Sequence, residues 1–167
     1  MRTSNPDIFA VGDAVEVKDF NTGEWSLVAL AGPANRQGRI AAEVICGRDS
    51  SYRGTQGTSI IGLFGGAAAW TGISEKTLKR NNDTDYEKIY LFSNSHAGYY
   101  PGARMLGFKV LFRKSDGRLL GAQGVGVDGP AVDKRISARA MALQMKATVY
   151  DLEEAELCYA PPFGSAK

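Results

Sequence analysis

Apolar and polar positions along the chain alternate in blocks that differ in period. A short apolar run at 8–11 (IFAV) stops at Gly12-Asp13 and reads as a strand, while 16–26 (EVKDFNTGEWS) is polar and turn-like. From about residue 33 to residue 46 the pattern predicts a helix. Pro33 suits a first helical position, where its missing N–H is not needed, and Gly47 suits a left-handed stop. Its apolar face is expected to hold Ala34, Ala41, Val44 and Ile45.

After a polar loop at 48–59, residues 60–64 and 67–70 read as strands, and Ser74-Glu75 opens a short helix ending near Arg80. Residues 86–92 alternate as a strand. Residues 108–113 and 118–123 flank Lys114-Ser115-Asp116-Gly117, whose Asp-Gly step predicts a hairpin. Helical spacing returns at 131–146, with Val132, Ile136, Ala140, Leu143 and Ala147 three or four apart, and an acidic helix follows at 149–156. The expected fold is α+β: an antiparallel sheet of about four to five strands with helices packed on one side. The first 50 residues, a lone strand and a long helix, look instead like the tail of an α/β domain. The domain reading is therefore 1–50 and 51–167.

Length and charge narrow the functional classes. A chain of 167 residues is about one domain in size, and its net charge of +2 is too balanced to point to nucleic acid or an anionic membrane surface. The most apolar run, 60–70 (IIGLFGGAAAW), is too short to span a bilayer, and the polar residues after Met1 carry no secretory pattern. Cys46 and Cys158 form no C-x-x-C pair, which fits a reducing cytoplasm better than a disulfide scaffold.

Gly124-Val125-Gly126-Val127-Asp128-Gly129 fits G-x-G-x-x-G, the pattern of a dinucleotide pyrophosphate loop. Such a loop needs a parallel βαβ unit. Here the preceding strand pairs antiparallel through the Asp116-Gly117 hairpin, and no further strand follows the helix. The glycines are expected to relieve crowding where strand turns into helix.

Asn5-Pro6-Asp7-Ile8-Phe9-Ala10-Val11-Gly12-Asp13 carries more chemistry. This run resembles the second flavin-binding motif of the FAD-dependent pyridine nucleotide–disulfide reductases, an apolar strand ending in Gly-Asp. Ala34 to Arg39 resembles the helix after that motif. His96-Ala97-Gly98-Tyr99-Tyr100-Pro101-Gly102, Asp133-Lys134-Arg135-Ile136 and Tyr159-Ala160-Pro161-Pro162-Phe163 are similar to the dimerisation domain of one branch. That branch holds coenzyme A-disulfide reductases and related NADH oxidases and polysulfide reductases.

The resemblance implies a parent enzyme passing electrons from NAD(P)H through FAD to a disulfide, with coenzyme A disulfide or a persulfide as substrate; oxygen is the alternative acceptor. It implies a C-terminal segment of a flavoenzyme roughly two to three times as long. Neither the first FAD fingerprint nor a redox cysteine in the family's context is in the chain. The chain alone is then expected to be an inactive, homodimer-forming module that binds flavin weakly or not at all.

The same resemblance assigns residues. Gly12 and Asp13 would meet the ribityl chain of FAD, and Leu30 and Ala31, at the helix start, its pyrimidine edge. The bland alternative for the latter pair is a plain helix start. Asn35 would touch the coenzyme A substrate, with Arg36 and Arg39 nearby as phosphate cations or as a solvated face; Lys167 matches another substrate position. Tyr99 and Tyr159 match a pair that reaches across the dimer toward the partner's redox site, with Tyr159 also near the flavin. A phenol there can donate to a sulfur leaving group, or the pair can simply pack at an interface. Tyr100 takes the role of Tyr99 if the register slips by one. His96 is expected to structure its turn, Cys46 to be a small core residue, and Cys158 to have no designed role.

Overall fold

A computed structural model describes residues 1–165, with strands β1 (Glu16–Lys18), β2 (Trp25–Leu27), β3 (Ser59–Leu63), β4 (Gly66–Gly72), β5 (Tyr86–Asn94), β6 (Met105–Arg113) and β7 (Leu119–Gly126). The helices are α1 (Ala31–Ile45), α2 (Glu75–Arg80), α3 (Gly129–Gln144) and α4 (Val149–Glu153). Two compact units form, Met1–Gly57 and the remainder from Thr58. The class is α+β, as the pattern predicts.

In the first unit the expected strand at 8–11 is reduced to one bridge between Arg2 and Phe9. Val11 keeps extended dihedrals (φ −145°, ψ 163°), so the local preference survives; a strand also needs a neighbour to pair with. The stretch taken as turn-like contains a hairpin, β1 against β2, with Val17 buried and Lys18 opposite Trp25. The Asp19 carboxylate accepts from the N–H groups of Asn21 and Thr22, and Gly23 takes φ 73°, which closes the reversal. Helix α1 begins at Ala31, two residues before the expected start. It buries Pro33, Gln37, Ile40 and Ala41; Val44 is half-buried and Ile45 is 65% exposed, so the apolar stripe is rotated from the expected one. Cys46, expected in the core, is exposed at the end of α1.

The second unit is a five-stranded antiparallel sheet in the order β3-β4-β7-β6-β5. Phe64 and Gly65 join β3 to β4 with φ 50° and 76°, the left-handed pair that a two-residue hairpin turn requires. Lys114 to Gly117 join β6 to β7 as expected, with Gly117 N–H donating to the Arg113 carbonyl at 2.9 Å. Asp128 caps helix α3, its carboxylate accepting from Ala131 N–H at 3.2 Å, and the helix buries Val132, Ile136, Ala140 and Leu143. Val132 and Ile136 pack with Ala69, Leu106, Phe108, Val110 and Ala122 to form the core. Helix α4 is shorter than the acidic run suggests, ending at Glu153 after a reciprocal cap between Thr148 and Asp151.

Not all helices share one side of the sheet. Helix α2 lies over the opposite face: its Leu78 packs with Leu111 and Leu120, and its Glu75 reaches Lys109, the neighbour of core-facing Phe108 on β6. The rest of that face is open and apolar, a depression of about 410 Å³ lined by Trp70, Tyr90, Phe92, Gly107 and Val125.

The motif GVGVDG serves packing. An added Cβ on Gly124 would stand 2.5 Å from the Phe108 ring and 3.3 Å from Ile136, and one on Gly126 would collide with Leu106. Gly124→Ala should therefore lose about 1–3 kcal/mol in urea unfolding, as overpacked cores do. An unchanged midpoint would show that Phe108 yields freely. A second outcome concerns Glu75, whose carboxylate meets Lys109, Lys88 (2.7 Å) and Lys79 (3.1 Å) with 12% of its side chain exposed. These cations, Lys109 foremost, hold its carboxyl well below the usual carboxylate range. Its stabilising effect should be full above about pH 4.3 and fade as the pH falls further. Melting curves of Glu75→Gln and the parent chain should differ at neutral pH and converge in acid; a gap that stays constant to pH 2 would contradict this.

Candidate functional site

In the first unit, Gly12 sits at φ 81° at the head of a one-turn 3-10 helix, Gly12–Ala14. Its N–H donates to Gln37 Oε1 at 2.7 Å, and Gln37 is 1% exposed. Helix α1 thus fixes the backbone from which Asp13 projects. Asp13 itself is exposed and holds no ion pair among the described residues.

Leu30 is the N-cap of α1 and brings no side-chain acceptor, whereas α2, α3 and α4 are capped by Ser74, Asp128 and Thr148. The first amides of α1, on Ala31 and Gly32, keep the positive end of the helix without a side-chain partner. One turn on, Asn35 returns its side-chain amide to the Ala31 carbonyl at 2.9 Å. Arg36 is exposed, and Arg39 pairs with Glu43 at 2.7 Å. The structure therefore gathers Asn35, Arg36 and Arg39 on exposed α1, with one of the two guanidinium groups already engaged. Lys167 lies outside the described residues.

In the second unit, Tyr99 and Tyr159 are 60 positions apart in sequence, and their hydroxyl oxygens stand 3.5 Å apart. Tyr99 is 78% exposed and Tyr159 49% exposed. The Tyr99 hydroxyl, with some desolvation, pushes the Tyr159 phenol above its ordinary value. Two bonds bring their segments together: Ala97 N–H donates to the Pro161 carbonyl at 3.1 Å, and the Lys134 ammonium donates to the Phe163 carbonyl.

His96 does structural service, as expected. The Pro101 carbonyl, 3.2 Å from Nε2, can only accept, so in the neutral ring Nε2 carries the proton. Nδ1 then accepts from Ser95 Oγ at 3.1 Å, while Ser95 Oγ accepts from Arg104 N–H at 3.2 Å. With both nitrogens engaged, His96 staples the loop between β5 and β6. Tyr100 packs edge-on against its ring, 6.0 Å between centroids. Cys158 is exposed and, like Cys46, free.

Sequence reasoning missed Gln37 and the tether from Lys134. Gln37 had a signal: it stands on the buried stripe with Pro33, Ile40 and Ala41, where a polar side chain needs a partner. Lys134 carried none, because a surface lysine looks the same whether or not it meets a carbonyl.

The second unit thus carries a tyrosine pair on an antiparallel sheet domain, and the first carries a Gly-Asp turn and a helix without a side-chain cap. The dimerisation domain of the pyridine nucleotide-disulphide oxidoreductases matches residues 61–167, more than half of the chain, and the chain belongs to that family. It is 36% identical over 167 residues to the coenzyme A disulfide reductase of Staphylococcus epidermidis, covering 99% of this chain and 37% of the relative. Among solved structures it is similar to reduced CoADR-RHD from Bacillus anthracis (50% identity, TM-score 0.93, 98% of this chain and 29% of that one). It is also similar to an NAD-dependent persulfide reductase from A. fulgidus (36%, TM-score 0.94, 99% and 30%). The chain thus spans between 29% and 37% of these relatives' length. Among the described residues no helix is long and apolar enough to cross a membrane.

Removing the Gln37 amide isolates one interaction. Gln37→Leu leaves the Gly12 N–H without its acceptor and should cost about 1–3 kcal/mol. Amide hydrogen exchange at Gly12 should quicken along with the loss of stability; unaltered exchange there would mean that the bond does not hold the Gly-Asp turn.

Proposed function

We propose that this chain is the C-terminal segment of an NAD(P)H- and FAD-dependent disulfide reductase. In this reading residues 1–50 belong to the FAD-binding domain and 51–167 form the dimerisation domain. The observation that carries the reading is the meeting of Tyr99 and Tyr159 within a domain of this family. A coenzyme A-containing disulfide is the substrate favoured by the 36% and 50% identities to the Staphylococcus and Bacillus proteins. The persulfide reductase likeness favours a persulfide as the alternative.

The residues fit such a cofactor in kind. Gly12 lets a ligand approach the backbone closely, the exposed Asp13 carboxylate can accept from a polyol hydroxyl, and the free Ala31 and Gly32 amides suit a negatively charged ring edge. When bound, FAD supplies the electron relay from NAD(P)H to a cysteine outside this chain. Tyr159 donates a hydrogen bond to the sulfur that leaves as thiolate, which lowers the energy of that leaving group. The exposed Arg36, with Asn35 one position before it on α1, suits coenzyme A phosphates, and Arg39 joins it on release from Glu43. A homodimer lets one tyrosine pair serve the site of the other subunit, and two-fold symmetry then completes both sites at once. Two free, exposed cysteines favour a reducing cytoplasm. Alone, the chain is a dimerising module without turnover.

The test is a chimera in which this chain replaces the aligned segment of the Bacillus anthracis protein. It should purify as a yellow dimer that reduces coenzyme A disulfide. Tyr159→Phe within it should lower kcat by about 100-fold, the size of losing one hydrogen-bond donor to a developing anion, with KM little moved. Full turnover in the Tyr99→Phe, Tyr159→Phe double variant would sink the assignment of the tyrosines.

A further inference from the structure

The tyrosine pair stands on two segments that share no strand pairing. Tyr99 lies in the loop that leaves β5 and returns to β6, while Tyr159 lies in the irregular stretch after α4. A contact between two exposed phenols 3.5 Å apart is weak and cannot order such segments by itself. One backbone bond, from Ala97 N–H to the Pro161 carbonyl at 3.1 Å, joins the segments directly, and the rest of their order must come from what each rests on.

Two consecutive residues of α3 reach one segment each. The Lys134 ammonium donates to the Phe163 carbonyl, beyond Tyr159. The Arg135 guanidinium donates to the Ser95 carbonyl at 3.0 Å, with Asn94 at 3.4 Å, at the root of the Tyr99 loop. Arg135 also donates to the Ala131 carbonyl of its own helix at 3.1 Å, which fixes its direction. Flanking Val132 and Ile136 are buried under 3%, so the turn of α3 that carries both cations is anchored in the core. Ser95, 1% exposed, passes the constraint on through its hydroxyl to His96 and Arg104. The Phe163 end is closed by its own turn, with Phe163 and Gly164 N–H groups on the Ala160 carbonyl at 2.9 and 3.2 Å.

We infer that Lys134 and Arg135 act as a positioning clamp: adjacent cations on a core-anchored helix grip the two tyrosine-bearing segments by their carbonyls and hold Tyr159 against Tyr99. This deepens the proposed function and rests on it only for the catalytic consequence. Neither cation touches substrate; both act through the phenols. A charge-assisted bond to a carbonyl is stronger than a neutral one, so the clamp outweighs the phenol contact it sets.

The experiment is carbon-13 NMR of the chain labelled at tyrosine Cζ, followed against pH, with the Tyr159 signal assigned through Tyr159→Phe. The Tyr159 phenol should titrate above an ordinary tyrosine, and Tyr99→Phe should bring it down. Lys134→Met should do the same at an unchanged melting temperature, since Lys134 is exposed, and Lys134→Arg should restore the upward shift. Arg135→Met should give the same loss; if it fails to fold, Arg135→Lys serves, with a partial loss. A Tyr159 titration that ignores both Lys134→Met and the Arg135 variant overturns the clamp, as does one that ignores Tyr99→Phe. The titration reads the clamp whatever the parent enzyme catalyses. If the clamp holds by NMR while the Tyr159→Phe chimera turns over fully, the catalytic reading fails and the clamp stands.

Discussion

The close approach of α3 to the sheet is the constraint on which the second unit depends. Strand β7 lies between β4 and β6, and it meets the helix with Gly124 and Gly126 where larger side chains would ordinarily stand. An added Cβ at either position would run into Phe108 or Leu106, with Ile136 and Val132 of α3 next in line. The missing side chains let the helix stripe sink onto the strand and bring its buried residues below 10% exposure. Everything that α3 holds on its outer surface inherits its rigidity from that contact. Arg139, packed over Phe108 with its ring centroid 5.2 Å away, shows how far the core extends up the helix.

This constraint explains why a phosphate-loop pattern appears where the topology has no use for one. The two chemistries ask for glycine for the same reason, the removal of a Cβ where something must come near. What approaches the backbone at a dinucleotide loop is a pyrophosphate; at Gly124 and Gly126 it is the protein's own aromatic and aliphatic side chains. Spacing alone does not separate the two cases. The antiparallel pairing of β7 with both neighbours does, and its pairing with β6 was readable from the Asp116-Gly117 hairpin.

Most of the second unit was legible because its elements are long and its turns chemically explicit: the sheet strands, the Ser74 cap and the Val132–Leu143 stripe fell where the periods placed them. The first unit was less so, for two physical reasons. β1 and β2 have only three residues each, too few to show a period, and their hairpin is made by one aspartate turning the backbone. The 8–11 run has the composition of a strand, but strand formation is a property of a pair. The face that α2 covers was misread because a six-residue helix carries a single buried anchor, Leu78, and one residue fixes no direction. For the site, the sequence named Tyr99 and Tyr159 through resemblance and the fold brought them together; the Lys134 and Arg135 contacts depend on carbonyls that no side-chain pattern encodes.

The caps make a last distinction. Ser74, Asp128 and Thr148 each close a helix start with a side-chain oxygen, which is worth about 1 kcal/mol apiece and needs no tertiary partner. Leu30 forgoes that gain at the start of α1, the longest helix of the first unit, and Pro33 removes one amide from the need for a partner. A chain that caps three helices well and leaves the fourth open has kept two amides and a positive helix end available. On the proposed reading that is the use of the position: a cap would compete with the ligand for the same amides. Stability forgone at α1 is then recovered only when the site is filled.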